Sequence, residues 1–185
     1  MTDVLVIGDG PGGLSAALFL AKNGMDVVVH GQDKTAMHAA LLRNYLGIPE
    51  ILGSDFQAVA RRQVAALGAK VLGTRVEALA KQGDGFQATL EDGATVRARY
   101  VILSEGKSPR LAQMLGLSHD PATGLATDKN GRTAVPGVYA VGRSTRPGRS
   151  QAIISAGDGA AAAIDILSIE KGESVTDWDS PPEGG

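Results

Sequence analysis

A chain of 185 residues with 18 basic and 20 acidic side chains has a net charge of −2 and no basic stripe of the kind nucleic acid requires. It has no cysteine, which excludes disulfides, thiolate zinc sites, cysteine nucleophiles and CxxC redox pairs. With 25 glycines and only seven aromatics, its core must be built from small and aliphatic side chains. No apolar run approaches the roughly 18 residues of a membrane span, and Met1-Thr2-Asp3-Val4 has no basic leader pattern. The expectation is a soluble, cytoplasmic α/β protein with one domain over 1–172 and a disordered tail over 173–185. Neither nucleic acid nor membrane is an expected partner, and no metal site is expected.

Val4-Leu5-Val6-Ile7 is an apolar run closed by Gly8, the pattern of a strand buried on both faces. Pro11 then opens a helix whose Leu14, Ala17, Leu18 and Ala21 recur at helical spacing as far as Asn23-Gly24. Val27-Val28-Val29 is a second buried strand, completing a βαβ unit. Thr35 to Leu46 is ambiguous. A helix capped by Ser54 or Asp55 follows, with Phe56, Val59, Ala60, Val64 and Leu67 on one face and Gly68 as its stop.

Turn signals at Gly83-Asp84-Gly85 and Asp92-Gly93 divide 70–81, 86–91 and 94–99 into an antiparallel meander. Tyr100 to Leu103 reads as another buried strand, 111–115 as a short helix and 137–141 as the last strand. An Ala-rich helix closes the domain over 151–169. The expected architecture has three layers. A parallel sheet of 3–7, 26–30, 100–103 and 137–141, its first and last strands paired, carries helices on one side and the meander on the other. Asp158 and Asp165 read as a solvated face of the closing helix, Ser15 as a packing residue, and His38 and His119 as isolated.

Gly8-Asp9-Gly10-Pro11-Gly12-Gly13 satisfies G-x-G-x-x-G after a buried strand and at the start of a helix, the context that makes the pattern informative. Gly8 permits the tight turn, Gly10 lets a pyrophosphate approach the backbone, and Gly13 lets the helix pack on the sheet. The helix N-terminus offers free N–H groups to the phosphates. The acidic residue expected at the end of the second strand is His30 here, followed by Gly31. An imidazole there can hydrogen-bond a ribose hydroxyl or simply be a strand-end side chain without a ligand.

Four stretches resemble the FAD-binding half of the thioredoxin reductase-like pyridine nucleotide–disulfide oxidoreductases. They are Gly8 to Ala17, Asn44-Tyr45-Leu46-Gly47, Thr133 to Gly142, and Gln151 to Ala161. The resemblance implies a Rossmann-like fold with a three-stranded antiparallel cover, and FAD as the cofactor. It implies flavin contacts from Asn44 and from Gly142, and an approach of the Val76 backbone to adenine. It also places the Gln151-Ala152-Ile153 helix start at the pyrimidine edge of the flavin, where N–H groups stabilise charge on the reduced ring.

Two departures are notable. Ser104-Glu105-Gly106 stands where Ala-Thr-Gly is expected, and Arg143 replaces an aspartate that holds a ribityl hydroxyl. Arg143 there either reaches a pyrophosphate oxygen or is solvated. The family's NAD(P)H domain would follow the Ile102-Leu103 strand, but no second G-x-G-x-x-G occurs. With 107–135 in its place, the isoalloxazine face should be open, and a homodimer or a partner protein should cover it. Three activities compete. One is a minimal flavoprotein oxidoreductase fed by NAD(P)H or a redox partner. The second is a non-catalytic FAD- or ADP-ribose-binding module or subunit, and the third is NAD-dependent hydride transfer. No residue stands out as catalytic.

Overall fold

The computed structural model describes residues 1–181. Its elements in order are β1 (Thr2–Ile7), α1 (Pro11–Lys22), β2 (Val27–His30), a 3₁₀ turn (Ala36–Ala39), β3 (Leu41–Leu42), β4 (Ile51–Leu52) and α2 (Gly53–Ala66). Then come β5 (Lys70–Leu72), β6 (Val76–Gln82), β7 (Gly85–Leu90), β8 (Thr95–Leu103), α3 (Arg110–Met114), β9 (His119–Asp120) and β10 (Gly124–Leu125). The chain continues through β11 (Val138–Ala140), a 3₁₀ turn (Gly142–Ser144) and α4 (Ala152–Lys171).

The main sheet runs β5-β2-β1-β8, all parallel. The far edge of β8 is shared: Val101 to Leu103 pair with β11 in parallel, and Thr95 to Ala98 pair with β7 in antiparallel register. β6 extends the antiparallel part. β1 and β11 are therefore not neighbours, contrary to the sequence expectation, because β8 lies between them and pairs with both. The segment expected as one meander strand, 70–81, is two. Lys70–Leu72 joins the parallel sheet beside β2, and only from Val76 does the chain enter the meander.

Alternate residues of each central strand enter two cores. Val4, Val6, Ile102 and Tyr139 pack under α1, α2 and α4, while Leu5, Ile7, Val101, Leu103 and Val138 pack beneath the meander and α3. Burial on both faces is what the continuous apolar runs encode. The apolar length of α4 would suffice to cross a membrane by composition alone. Here its Ala162, Ala163 and Ile166 are fully buried in the first core.

Three expectations change in detail. Neither Ser54 nor Asp55 caps α2, which begins at Gly53 after Leu52 with no side-chain cap. Gly53 donates its N–H to the Ala40 carbonyl instead, and a Cβ there would lie 2.0 Å from the Met37 carbonyl oxygen. The tail expected to be disordered folds back over 173–181. The Val175 N–H donates to Ser168 Oγ at 3.0 Å, and Asp177 accepts from Lys22 Nζ at 3.2 Å and from Asn23 Nδ2 at 3.0 Å. Residues 182–185, also part of that expectation, lie outside the described residues.

Asp165, expected on a solvated face, is 8% exposed. It accepts from Arg132 Nε (2.6 Å) and Nη2 (2.8 Å), Asn130 Nδ2 (2.8 Å) and Tyr139 Oη (2.7 Å). Asp158 likewise is held, by the Gly142 N–H and Arg146 Nε. Helical periodicity does not reveal either, because the partners come from loops distant in sequence. Burial pushes the Asp165 carboxyl up, but the hydrogen bonds from Arg132 and Tyr139 outweigh it, and the carboxyl titrates below its usual range. Because the folded value lies below the unfolded one, the stabilisation is complete above about pH 4 and is lost as pH falls through the folded value. Asp165→Asn should cost about 2 kcal/mol at pH 7, since charged hydrogen bonds become neutral ones around a buried phenol. Urea unfolding should show the gap to wild type narrowing at pH 3; an equal gap at both pH values would contradict this account.

Candidate functional site

The parallel strands end on one line, with Ile7 beside His30 and Leu103, and His30 beside Leu72. Ligands of open α/β sheets bind beyond this carboxyl edge. A cleft of about 660 Å³ opens there, lined by the loops after β1, β2, β5, β8 and β11. The backbone is knitted across its floor: the Gly8 N–H donates to the His30 carbonyl (2.8 Å), Ser104 N–H to Ile7 (2.7 Å) and Gly31 N–H to Leu72 (2.9 Å).

The glycine loop adopts the conformation its composition requires. Gly8 has φ +100°, and a Cβ there would lie 2.1 Å from the Ser104 carbonyl oxygen. At Gly13 it would lie 2.0 Å from the Gly8 carbonyl oxygen, so Gly13 packs behind the loop and is not part of the cleft wall. Gly10 differs: its Cβ would meet nothing nearer than Thr35 Oγ1 at 3.7 Å. Gly10 caps α1 without a side chain of its own, Pro11 occupies the first turn, and Ser104 Oγ accepts from the Gly13 N–H at 3.2 Å. Gln151 caps α4, again without a side-chain hydrogen bond, and Ala152 and Ser155 reach the cleft. Two long helices thus turn their N-termini, each with a partial positive charge, to one cleft, that of α1 partly satisfied by Ser104. By contrast, α3 is closed by Glu105, whose carboxylate accepts from the Leu111 (2.8 Å) and Ala112 (3.0 Å) N–H groups. Burial pushes that carboxyl up, against those two hydrogen bonds.

An acidic residue within a phosphate loop would repel its ligand unless neutralised. Asp9 is 4% exposed and ion-paired to Arg61 of α2, and its carboxylate also accepts from the Asp33 N–H at 3.1 Å. Gln57, one turn before Arg61 and fully buried, donates from Nε2 to the Asp9 carbonyl at 2.5 Å. Gly31 makes room for this arrangement, since a Cβ there would lie 2.3 Å from the Asp9 side chain. Sequence reading missed both Gln57 and Arg61. Their only signal is a polar pair at i, i+4 on an otherwise apolar helix face.

His30 is 3% exposed, and its Nδ1 lies 3.0 Å from the Thr74 carbonyl oxygen. A carbonyl only accepts, so Nδ1 carries the proton and Nε2 is left as a lone-pair acceptor. Nε2 is buried with no partner among the described residues, and His30 lines the cleft. An orphaned acceptor in this position fits a ligand hydroxyl, as the usual carboxylate would. Val76, Ser104, Glu105, Gly106, Gly142 and Arg143 line the same cleft. The Val76 carbonyl is already engaged by Arg110 Nη2 at 2.9 Å. Asn44 and Gln151 do not line it; they hydrogen-bond each other at 3.0 Å, Nδ2 to Oε1, and Ile153 is also outside. Of the isolated histidines, His38 lies 3.0 Å from Asp33 and outside the cleft.

No group of three or more metal-ligating side chains occurs among the described residues. The helix ends, the bare Gly10 position and the orphaned His30 Nε2 fit an adenine dinucleotide.

Comparison with known proteins agrees with that fit. Residues 1–40 match the family model described as FAD binding domain, and residues 40–159 match that of pyridine nucleotide-disulphide oxidoreductase. A thioredoxin reductase from Helicobacter pylori is 32% identical over 134 residues, covering 69% of this chain and 42% of the relative. The chain thus spans less than half the length of that curated relative. Solved structures share the fold. A thioredoxin reductase from Gloeobacter violaceus superposes with TM-score 0.85 at 16% identity, covering 98% of this chain and 99% of the other. An atypical thioredoxin reductase from Desulfovibrio vulgaris Hildenborough gives 0.83 at 20% identity, covering 96% and 100%. With a glycine loop and βαβ unit matched by an FAD-binding model, and the segment from the β3–β4 hairpin into the closing helix matched by the second, the chain is a thioredoxin reductase-like, FAD-binding member of the pyridine nucleotide-disulphide oxidoreductase family.

Proposed function

We propose that this chain is a minimal flavoprotein oxidoreductase of the cytoplasm that passes electrons between NAD(P)H or a protein donor and an acceptor other than a dithiol of its own. The observation that carries the reading is the convergence of two long-helix N-termini on one cleft. Bound FAD supplies the electron-transfer chemistry, so the protein need only bind, orient and tune it. The N-terminus of α1 and the Gly10 backbone would take the pyrophosphate, with Arg143 as a nearby cation and Asp9 neutralised by Arg61. His30 Nε2 would accept from the adenosine ribose. The N-terminus of α4 would favour negative charge on the pyrimidine edge, worth about 0.3–2 kcal/mol for one helix end.

Between β8 and β11 the chain carries α3 and the β9–β10 pair. This supports an isoalloxazine face that is open to an incoming donor, or to a second copy or a redox partner that covers it. The test is the absorption spectrum of freshly purified protein, followed by anaerobic mixing with NADH and NADPH. Flavin bands that bleach rapidly are expected. Flavin that is retained but reduced by neither nicotinamide, alone or with a partner, would leave a non-catalytic binding module. Colourless protein that takes up no added FAD would refute both readings.

A further inference from the structure

We propose that the adenosine end of the cleft accepts a ribose bearing a 2′-phosphate, so that 2′-phosphorylated adenine dinucleotides compete with FAD for this site. This rests on the cleft being a dinucleotide site.

A carboxylate at the end of the second strand accepts from the ribose hydroxyls and repels a phosphate placed on one of them. His30 keeps the first property and lacks the second. Its Nδ1–H is committed to the Thr74 carbonyl, and its Nε2 is buried and without a partner among the described residues, in a side chain whose residue lines the cleft. A ribose hydroxyl satisfies that acceptor. A phosphate monoester does so too: with a second pKa of about 6 it brings a proton of its own in part of the population. That proton either stays on the phosphate and is donated to Nε2, or moves to Nε2 and leaves an imidazolium–phosphate pair. No outside proton source is required.

The surrounding charge favours the second anion. The two acids in the cleft wall are both engaged, Asp9 by Arg61 and Glu105 by the start of α3. Lys34, four residues beyond His30, lines the cleft and makes no ion pair among the described residues. Arg75 follows Thr74, the residue that fixes the histidine tautomer, and also lines the cleft, although it shares Glu77 and Glu91. One unpaired lysine and one shared arginine beside a strand end without a carboxylate make an arrangement that tolerates a ribose phosphate.

The test is competition by ADP-ribose and by 2′-phospho-ADP-ribose against FAD on the full chain, followed by flavin fluorescence. Wild-type protein should bind the two competitors within about threefold of each other. His30→Glu should shift the ratio of the two affinities by at least tenfold against the phosphorylated ligand, whatever happens to the absolute values. His30→Gln, which adds no charge, should leave the ratio near wild type. If wild-type protein takes ADP-ribose and rejects its 2′-phosphate by tenfold or more, this inference fails while the dinucleotide reading survives. If FAD and both competitors fail to bind, the dinucleotide reading falls and this one with it. An unchanged ratio in a folded His30→Glu protein would also overturn it.

Discussion

A Gly10→Val protein is expected to fold normally and to lose its flavin. The backbone at Gly10 is extended, with φ −71° and ψ 178°, a region open to any L-residue. A Cβ built there meets only Thr35 Oγ1, at 3.7 Å, so the Cβ itself creates no clash. Gly10 lines the cleft, so the new side chain would stand where the proposed pyrophosphate site lies. FAD affinity should fall at least a hundredfold, while the unfolding free energy of the flavin-free protein moves by less than about 1 kcal/mol. The stabilisation that FAD gives wild type should vanish with it. Gly13→Ala makes the contrast. Its Cβ would sit 2.0 Å from the Gly8 carbonyl oxygen, so the loop or the helix must move, at a cost of about 3 kcal/mol or more. On this reading packing requires the glycine at Gly13 but not the one at Gly10. A Gly10→Val protein that retained stoichiometric flavin would remove the loop from the binding site.

Much of this was legible in the sequence because the signals were local. Apolar runs of four residues mark strands buried on both faces, and Gly8 to Gly13 can do little else than turn from strand to helix. The break at Gly73 to Arg75 was less visible. Lys70 to Leu72 and Val76 to Gln82 carry similar β-type patterns, and only tertiary pairing assigns the first to β2 and the second to β7. On α2 periodicity misleads. Val59 and Leu67 belong to the apolar stripe yet are 49% and 41% exposed, whereas Gln57 is wholly buried. Gln57 and Arg61 are spent on the phosphate loop, an obligation created by Asp9, 48 and 52 residues earlier. The tautomer of His30 depends in the same way on a carbonyl 44 residues away. Long-range polar pairing has no period, which is why the fold was readable before the site's supporting hydrogen bonds were.

The largest stability effect away from the loop is expected at Gly159. It lies inside α4, where alanine is intrinsically favoured over glycine by about 1 kcal/mol, and propensity alone would make Gly159→Ala stabilising. Packing argues the reverse. The new Cβ would lie 2.0 Å from the Gly12 carbonyl oxygen and 3.0 Å from the Ala16 nitrogen, both backbone atoms of α1 that no rotamer change can move aside. To admit it, α4 must withdraw from α1, opening the core around Ala162, Ala163 and Ile166. The expected cost is about 2–4 kcal/mol, overpacking and lost contacts exceeding the propensity gain. Gly157 is the internal control: two residues earlier in the same helix, its Cβ would meet nothing within 4 Å. Gly157→Ala should therefore stabilise by about 0.5–1 kcal/mol. Urea unfolding of the two variants should give opposite signs. The consequence for the site follows from position, since α1 and α4 touch at Gly12, within the first turn of one helix and two turns into the other. Separating them misaims both N-termini, so flavin affinity in Gly159→Ala should fall beyond what its instability explains when measured well below its unfolding midpoint. A Gly159→Ala protein as stable as wild type would mean that the helices do not approach this closely, and that their N-termini are aimed by something else.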